Sequence, residues 1–289
     1  MSGAQAGRLA AYLERVGLAE APPADAAGLQ GLQHAHRMAI PFENVDVRLG
    51  REIRIDSEGV FDKLVVRRRG GYCFEQNRLF ADVLAELGLP SRPLLARARL
   101  GPQSAEHPPR THVLLLVEFG GEPWIADVGF GGSYLPPLPL ADGLSLVTPD
   151  GAQHRLRRIG ERGALAGEWL LERAGPFVST DRRGLPHADW QPQYSFDLGE
   201  VALADLAQAN HWTSTASVSR FTNLQIATIA LPRGFASLID HSLSIADGMA
   251  LERTEIADAK SYHQVLAERF RLQLDETEVG ELPLFHAPS

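Results

Sequence analysis

The spacing of apolar residues changes along the chain, and this change restricts the fold more than any other feature of the sequence. In the first third, Leu9, Tyr12, Leu13 and Val16 follow the three- and four-residue spacing of an amphipathic helix. From residue 111 to residue 119 the pattern is instead a nearly continuous apolar run, which is typical of a buried strand. A helical segment followed by strands predicts an α+β fold.

Capping and breaking residues divide the first third into three helices. The first helix ends at Gly17, and the second begins after Asp25, whose carboxylate can cap it. Pro41 ends the second helix, because proline cannot continue the backbone hydrogen-bond ladder. The third helix starts near Cys73 and closes at Gly88.

The middle of the chain is predicted to form short antiparallel strands. Gly120-Gly121 is a two-residue hairpin signal that joins 111–119 to a return strand over 122–128. Together with further strand candidates over 153–159 and 168–173, this hairpin indicates a small antiparallel barrel or sandwich. The last third mixes element types: a helix over 201–209, a strand over 222–231 and a helix over 255–270.

The charge balance and the cysteine content narrow the class of protein. The 289 residues carry a formal net charge of −8, which argues against general affinity for nucleic acid or anionic lipid. No apolar stretch is long enough to span a bilayer. One cysteine and no recognisable targeting segment favour a reducing cytoplasm. The length allows two or three domains, and the sequence leaves the oligomeric state open, a homo-oligomer included.

The only cysteine, Cys73, has two interpretations. A lone thiol cannot form an internal disulfide, so it is either a small buried hydrophobe or a nucleophile. Its position favours the nucleophile. Cys73 comes directly before the third helix, where the positive end of the helix dipole stabilises an anion. Gly70-Gly71 also allow the thiol to be presented at a tight turn.

Hairpin register brings a histidine and an aspartate together. If the loop has two residues, Phe119 pairs with Glu122, and counting back places Leu114 opposite Asp127. His112 is two residues from Leu114 and therefore on the same face of the sheet. His112 and Asp127 then become diagonal neighbours, roughly 7–8 Å apart at the backbone and within side-chain reach. A bulge or a loop of odd length would break this argument.

Taken singly, these residues have ordinary structural explanations. His112 could be an edge-strand histidine bonded to a carbonyl group, and Asp127 a turn-former before Gly129. Together with Cys73 they supply a nucleophile, a base and a group that orients the base. We therefore predict a catalytic triad of Cys73, His112 and Asp127. The other nine histidines do not cluster at a zinc-like spacing, so no metal is expected.

Four blocks of sequence, in order, carry a family resemblance. They are Ile40-Pro41-Phe42-Glu43-Asn44, the run from Arg69 to Asn77, Thr111-His112, and Asp127-Val128-Gly129-Phe130-Gly131. With these blocks the chain resembles the arylamine N-acetyltransferases from about Tyr12 to about Gly248. One position departs from the family pattern, because Val45 stands where leucine usually follows Pro-Phe-Glu-Asn.

The resemblance implies an architecture and an activity. The expected architecture is a helical bundle over 1–92 carrying the cysteine, an antiparallel β-barrel over 93–198 carrying the histidine and aspartate, and an α/β lid over 199–289, around a cysteine-protease-like core. The expected activity is acetyl transfer from acetyl-CoA to arylamines, arylhydrazines or arylhydroxylamines, as in xenobiotic metabolism. Transfer is expected to follow a ping-pong mechanism through an acetyl-cysteine.

The resemblance also implies supporting residues. Thr111, Phe130 and Gly131 are expected beside the acyl and cofactor pocket. Glu43 and Arg69 are expected to form a buried ion pair that braces the cysteine turn, the alternative being that both lie at the surface. Glu75 and Asn77, from the same block as Cys73, are assigned to support of the helix start (not to chemistry).

Other functions of the same triad remain open at the level of sequence. One is a polyketide-type amide synthase, and another is a transglutaminase-like thiol hydrolase that uses water or an amide. The peptidase signature Cys-Gly-Ser/Ala-Cys-Trp is absent. A non-catalytic binding domain on the same scaffold is a further alternative, against which the intact triad argues.

Overall fold

Helices dominate the first third of the chain, as the apolar spacing predicts. The structure, a computed structural model, describes residues 3–101, 107–183, 189–248 and 250–286, with side chains from residue 7 onward. The α-helices within these ranges are α1 (Gly3–Val16), α2 (Ala26–Ala39), α3 (Val45–Arg48), α4 (Ser57–Phe61), α5 (Cys73–Glu86), α6 (Leu203–Thr215), α7 (Arg220–Asn223), α8 (Ala259–Phe270) and α9 (Glu276–Gly280). A π-helical turn over Asp62–Val66 follows α4, and 3₁₀ turns cover Phe177–Ser179 and Pro283–Phe285.

The three predicted helices of this region are confirmed, with their caps. Gly17 follows α1 with a φ of 78°, a conformation that suits glycine. Asp25 caps α2, because its carboxylate accepts a 2.8 Å hydrogen bond from the N–H of Gly28. Helix α5 begins at Cys73 itself, and Gly88 follows its end with a φ of 76°.

The strands form two antiparallel sheets. They are β1 (Phe42–Glu43), β2 (Ser91–Ala98), β3 (Arg110–Phe119), β4 (Glu122–Ala126), β5 (Leu138–Pro139), β6 (Ser145–Val147), β7 (Gln153–Arg158), β8 (Trp169–Ala174), β9 (Gln191–Phe196), β10 (Ile226–Leu231), β11 (Gly234–Ile239), β12 (Ser242–Asp247) and β13 (Ala250–Glu255). An eight-stranded sheet, ordered β5-β4-β3-β2-β9-β8-β7-β6, curls into a nearly closed barrel. A five-stranded sheet is ordered β1-β10-β11-β12-β13. The predicted α+β class is confirmed.

The predicted hairpin register is also confirmed. Phe119 pairs with Glu122, and the pairing continues to Leu115 and Ala126. Gly120 and Gly121 have φ values of 62° and 82°, as a type I′ turn requires. The return strand is shorter than predicted, since it ends at Ala126 and leaves 127–128 outside the strand.

Strand β3 is shared between two hydrophobic cores. Leu115 and Val117 pack into a core formed with α1, α2 and α5, whereas Leu114 and Leu116 pack inside the barrel. Because side chains alternate across a strand, His112 lies on the barrel side. Helix α5 packs on the opposite side of β3, against Leu115 and Val117. Only its first residue, Cys73, contacts His112, near the start of β3.

The five-stranded sheet joins distant parts of the chain. Phe42 and Glu43 of β1 pair with Thr228 and Ala227 of β10, so the first third contributes a strand to the sheet of the last third. Helices α8 and α9 cover this sheet with apolar side chains such as Phe270. The proposed domain boundaries at residues 92 and 198 stay a prediction. None of the described helices is long and apolar enough to cross a membrane.

Candidate active site

A tight turn presents the cysteine at the start of α5. Cys73 is the first residue of the helix and is 2% exposed. Two glycines make this turn, and each fills a place without room for a side chain. A Cβ on Gly70 would lie 2.4 Å from the carbonyl oxygen of Pro41, and one on Gly71 would lie 2.6 Å from Oε2 of Glu75. The thiol is therefore held where the backbone packs closely against 41–43.

A buried ionic network lies under the same turn. Glu75 Oε2 accepts a 3.0 Å hydrogen bond from the N–H of Tyr72, which caps α5. Glu75 Oε1 lies 2.6 Å from Nζ of Lys63, and the same Nζ lies 2.6 Å from Oδ2 of Asp46. Burial opposes the charge of Lys63, but the surrounding carboxylates outweigh it and raise its pKa. The ammonium group therefore stays charged and fixes the helix cap.

Arg69 extends this network on the other side of the turn. Its guanidinium is 3% exposed and lies 3.6 Å from Glu43, 3.1 Å from Asp46 and 3.8 Å from Glu278. Glu43 and Arg69, which the sequence suggested as a pair, are thus both buried and adjacent, within a larger cluster that also includes Lys63. Glu43 uses its second oxygen to accept a 2.6 Å hydrogen bond from the N–H of Val45.

The structure brings His112 and Asp127 together. Nε2 of His112 lies 2.7 Å from Oδ2 of Asp127, and both side chains are buried. Oδ1 of Asp127 accepts hydrogen bonds from Nδ2 of Asn77 at 3.1 Å and from the N–H of Gly129 at 2.9 Å. The aspartate is thus fixed at both oxygens, and Nδ1 of the imidazole remains available to the thiol.

The electrostatics of this group favour an imidazolium. Burial lowers the pKa of His112, but the charge of Asp127, the hydrogen bond to it and the contact with Cys73 outweigh burial and raise the pKa to about 10. Burial raises the pKa of Asp127, yet His112, Asn77 and the N–H of Gly129 together lower it below its usual value. The thiol of Cys73 also lies 3.7 Å from the carbonyl oxygen of Thr111.

The thiol opens into a cavity of about 740 Å³. Thr111, Phe130 and Gly131, the three residues expected beside the pocket, all line it. Its aromatic wall includes Phe42 and Phe221, whose ring centroids are 5.8 Å apart. Such a cavity can hold a flat apolar molecule beside the thiol. Within the described ranges, no group of three or more His, Cys, Asp or Glu side chains is arranged to hold a metal ion.

Comparison with known proteins identifies the family of this chain. A family model described as N-acetyltransferase matches residues 25–279. The arylamine N-acetyltransferase of Escherichia coli K12 is 38% identical over 272 residues, which cover 93% of this chain and 90% of that protein. The chain belongs to the arylamine N-acetyltransferase family. It is accordingly an acyltransferase.

Solved structures of arylamine N-acetyltransferases share the whole fold. The Salmonella typhimurium protein matches with a TM-score of 0.84 and 35% identity, covering 95% of this chain and 97% of that chain. The Mycobacterium marinum protein in complex with CoA matches with a TM-score of 0.80 and 31% identity, covering 94% of this chain and 96% of that chain.

Several polar residues that contact the site were not predicted from the sequence. Gln33 accepts a 3.0 Å hydrogen bond from the N–H of Asp127. Arg37, fully buried, donates to the carbonyl groups of Val128 at 3.0 Å and Ser133 at 2.9 Å. Both lie on the α2 face that carries Leu29 and Leu32 into the core. Polar side chains at core-facing positions of a helix were the available signal, because a buried arginine needs partners.

Asn77 holds the aspartate more directly than its place in α5 suggested. Besides Asp127, its Nδ2 donates to the carbonyl of Val113 at 2.7 Å, and its Oδ1 accepts from the N–H of Val128 at 3.2 Å. Glu75, by contrast, does support the helix start through the N–H of Tyr72. Asn77 thus ties α5, β3 and the segment after β4 into one unit.

Asn77→Ala is expected to slow acetyl transfer by roughly tenfold, because a hydrogen bond to a charged group contributes about 1.5 kcal/mol or more. The measurement is the initial rate of arylamine acetylation, with circular dichroism to check folding. Arg78→Ala is the matched control, since Arg78 is the next residue on α5 and pairs with Asp82 at the surface. Equal rates for the two variants would contradict a role for Asn77 in orienting Asp127.

Proposed function

We propose that the protein transfers acetyl groups from acetyl-CoA to arylamines, arylhydrazines or arylhydroxylamines through an acetyl-Cys73 intermediate. The observation that carries the proposal is the position of His112. Its imidazole is bonded to Asp127 at 2.7 Å and contacts Cys73, whose thiol faces a cavity that suits a flat substrate. The Escherichia coli relative is an arylamine N-acetyltransferase, and the Mycobacterium marinum relative was solved in complex with CoA, which supports the same acceptor and donor classes.

The first half-reaction acetylates the thiol. The thiolate of Cys73 adds to the carbonyl carbon of the thioester, and negative charge develops on the carbonyl oxygen. The N–H of Cys73, at the start of α5, has no partner within the helix and is a donor for this oxygen. The bond from carbon to the sulfur of CoA then breaks, and that sulfur takes the proton of His112. CoA leaves as a thiol, and neutral His112 remains beside acetyl-Cys73.

The second half-reaction returns the enzyme to its starting state. The nitrogen of the arylamine adds to the carbonyl carbon of acetyl-Cys73, and neutral His112 accepts the proton that this nitrogen loses. The bond to Sγ then breaks, which releases the N-acetylated product and restores the thiolate–imidazolium pair. Asp127 stabilises the imidazolium in both halves. In this proposal Phe130, Thr111 and Gly131 shape the substrate side, while Glu43 and Arg69 brace the turn.

Intact-protein mass spectrometry tests the intermediate. Incubation with acetyl-CoA alone is expected to add one acetyl group, and addition of an arylamine is expected to remove it as the acetylated amine forms. Peptide mapping then locates the acetyl group on Cys73. Release of CoA by hydrolysis, with no adduct and no amide product, would favour the thiol hydrolase and contradict the proposal.

Alkylation of Cys73 by iodoacetamide is expected to stay fast at mildly acidic pH. His112 remains protonated well above its ordinary pKa of 6.5, because Asp127 and Cys73 raise that pKa to about 10 against the effect of burial. The imidazolium that stabilises the thiolate therefore persists across the neutral range. In His112→Gln the imidazolium is lost, so alkylation at mildly acidic pH should be much slower than in wild type.

The second-order rate of inactivation is measured against pH for both proteins. His154→Gln is the control, since His154 is buried in the barrel and does not line the cavity. The control should keep the wild-type profile. Identical profiles for wild type and His112→Gln would mean that His112 does not activate the thiol.

The cellular setting completes the proposal. A reactive thiol must stay reduced, and the cytoplasm keeps thiols reduced, so we assign the enzyme to the cytoplasm. Cys73 is unpaired in the structure. Association into a homo-oligomer stays a prediction.

A further inference from the structure

A buried lysine lies behind the cysteine turn and takes no part in the steps of acetyl transfer described above. Lys63 is 6% exposed, and it is one of only two lysines in the chain. It belongs to the π-helical turn over Asp62–Val66, a conformation that is frequent at functional sites. Lysine is rarely buried unless it is paired. The position of Lys63 therefore indicates a specific role for its charge.

Two carboxylates are the partners of Lys63, and only one of them has another cation. Nζ of Lys63 lies 2.6 Å from Oε1 of Glu75 and 2.6 Å from Oδ2 of Asp46. Asp46 is also paired with Arg69 at 3.1 Å. Glu75, by contrast, forms no second ion pair with any residue that the structure describes. Lys63 is therefore the group that compensates the charge of Glu75.

Glu75 depends on this compensation because it is almost completely buried. Its side chain belongs to a residue that is 2% exposed. Burial raises the pKa of Glu75 to about 7, and the charge of Glu43 raises it as well, while the charge of Lys63 and its hydrogen bond oppose both effects. Loss of the ammonium group would raise this pKa further, so that Glu75 would take up a proton at neutral pH.

Glu75 in turn fixes the backbone directly before the thiol. Its second oxygen, Oε2, accepts a 3.0 Å hydrogen bond from the N–H of Tyr72. The carbonyl oxygen of Tyr72 accepts from the N–H groups of Glu75 at 3.1 Å and Gln76 at 3.0 Å. Because a trans peptide directs its N–H opposite to its C=O, the N–H of Cys73 points out of the helix start. This N–H is the donor proposed above for the developing oxyanion.

We propose that Lys63 is a positioning residue for the acetylation of Cys73, because its ammonium group holds Glu75 as the carboxylate that fixes the direction of the Cys73 N–H. Lys63 does not line the cavity beside the thiol, so it acts through Glu75 and not on the substrate. A donor to an oxyanion is effective when it is aimed before the charge develops. This inference rests on the proposed acetyl transfer and adds a residue that sets its rate.

Two reactions of the same thiol depend differently on this N–H. Acetylation by acetyl-CoA develops negative charge on the carbonyl oxygen of the thioester, which the N–H stabilises. Alkylation by iodoacetamide forms a bond from Sγ to a saturated carbon and releases iodide, so no oxyanion develops at that carbon. Loss of Lys63 should therefore slow acetylation and leave alkylation close to that of wild type. A change in the fraction of folded protein alters the amplitudes of both reactions, and the ratio of their rate constants stays the same.

Lys63→Gln tests this difference. The time course of acetyl-Cys73 formation at saturating acetyl-CoA is followed by intact mass, so that its amplitude gives the competent fraction and its rate constant reports the positioning of the N–H. The rate constant is expected to fall by roughly 10- to 100-fold, since misdirecting an oxyanion donor should cost less than the 10²–10³-fold that follows its removal. The amplitude and the rate constant for iodoacetamide should stay near those of wild type.

A neutral pair tests whether Lys63 acts through Glu75. In Glu75→Gln one amide oxygen must serve two donors, the N–H of Tyr72 and the ammonium of Lys63. In Lys63→Gln/Glu75→Gln the amide at position 75 can accept from Tyr72 and donate to the amide oxygen at position 63. The double variant is therefore expected to acetylate faster than either single variant. If Lys63→Gln yields no folded protein, Glu75→Gln and the double variant still make this comparison.

Lys260→Gln is the matched control, because Lys260 is the other lysine of the chain and is exposed on α8. Its rate constants should equal those of wild type. Three results would overturn the inference: a normal acetylation rate constant in Lys63→Gln, an equal fall of acetylation and alkylation, or a double variant no faster than Glu75→Gln. A lower amplitude with a normal rate constant belongs to the first of these and would assign Lys63 to stability alone.

The wild-type protein separates this inference from the proposed function. If wild type forms acetyl-Cys73 and its rate does not depend on Lys63, only the inference fails. If wild type forms no acetyl-Cys73 although iodoacetamide alkylates the thiol, the proposed function fails.

Discussion

Cys73→Ala is expected to abolish acetyl transfer, because no other residue of this chain has a thiol. The thioester cannot form, and direct attack of the amine on acetyl-CoA would lose the advantage of a covalent intermediate. The measurement is turnover of an arylamine with acetyl-CoA, together with intact mass after incubation with acetyl-CoA alone. Turnover above a few per cent of wild type would contradict the covalent mechanism.

The fold is expected to survive this substitution. Cys73 is 2% exposed, and alanine removes only its sulfur atom while keeping a good helix former at the start of α5. The hydrogen bonds that hold the turn are made by the side chains of Glu75, which accepts from the N–H of Tyr72, and Gln76, which donates to the carbonyl of Gly71, and these remain. A thermal unfolding curve close to that of wild type would show that the lost activity belongs to the thiol.

Asp127→Asn is expected to reduce the rate of Cys73 acetylation on the order of 10²–10⁴-fold, by analogy with other triads. Asparagine keeps the size of the side chain but loses the charge that raises the pKa of His112 to about 10. The imidazolium then loses its main stabilising partner, and so does the thiolate. The rate is measured by incubating the protein with acetyl-CoA, quenching the reaction at short times and following the acetylated fraction by intact-protein mass spectrometry.

A second buried aspartate separates catalysis from folding in this experiment. Asp150 is bonded to Ser179 at 2.7 Å and to Arg173 at 3.1 Å, and it does not line the active-site cavity. Asp150→Asn should lose stability but acetylate Cys73 at the normal rate per folded molecule. A well-folded Asp127→Asn protein with a normal rate would show that Asp127 is not the group that orients His112.

The parts of the fold that could be predicted are those whose signal is local. Helices α1, α2 and α5 follow from an apolar stripe and a cap, and the β3–β4 hairpin follows from the Gly120-Gly121 turn. Once the turn fixed the register, the closeness of His112 and Asp127 followed by counting residues. The local pattern was sufficient here because neither strand contains a bulge between Phe119 and Leu115.

Other strands had no usable pattern. Every residue of β13 (Ala250–Glu255) is exposed, so neither face of this strand shows alternation. Strand β2 contains Pro93 and two arginines within eight residues, so its three buried positions do not stand out as a hydrophobic pattern. The strand predicted over 222–231 begins only at Ile226, because Ser219 caps the short helix α7 over Arg220–Asn223.

The candidate site likewise contains residues that the sequence could identify and residues that it could not. Residues with distinctive chemistry, such as Cys73 and His112, could be selected from the sequence. The residues that position them could not, because their partners are distant: Gln33 meets Asp127 across 94 positions, and Arg37 meets Ser133 across 96.

The pairing of β1 with β10 also sets the order in which this enzyme can mature. Phe42 bridges both to Thr228 and to Gly71 in the cysteine turn, and Asn44 donates to the carbonyl groups of Phe221 and Leu224. A ribosome releases the thiol turn long before it releases β10. Contacts so distant in sequence form late. Until synthesis has passed residue 231, the nascent chain therefore lacks the contacts of β10 that support the cysteine turn. Acetylating power is then a property of the finished molecule, and an arrested chain would hold the cysteine without its reactivity.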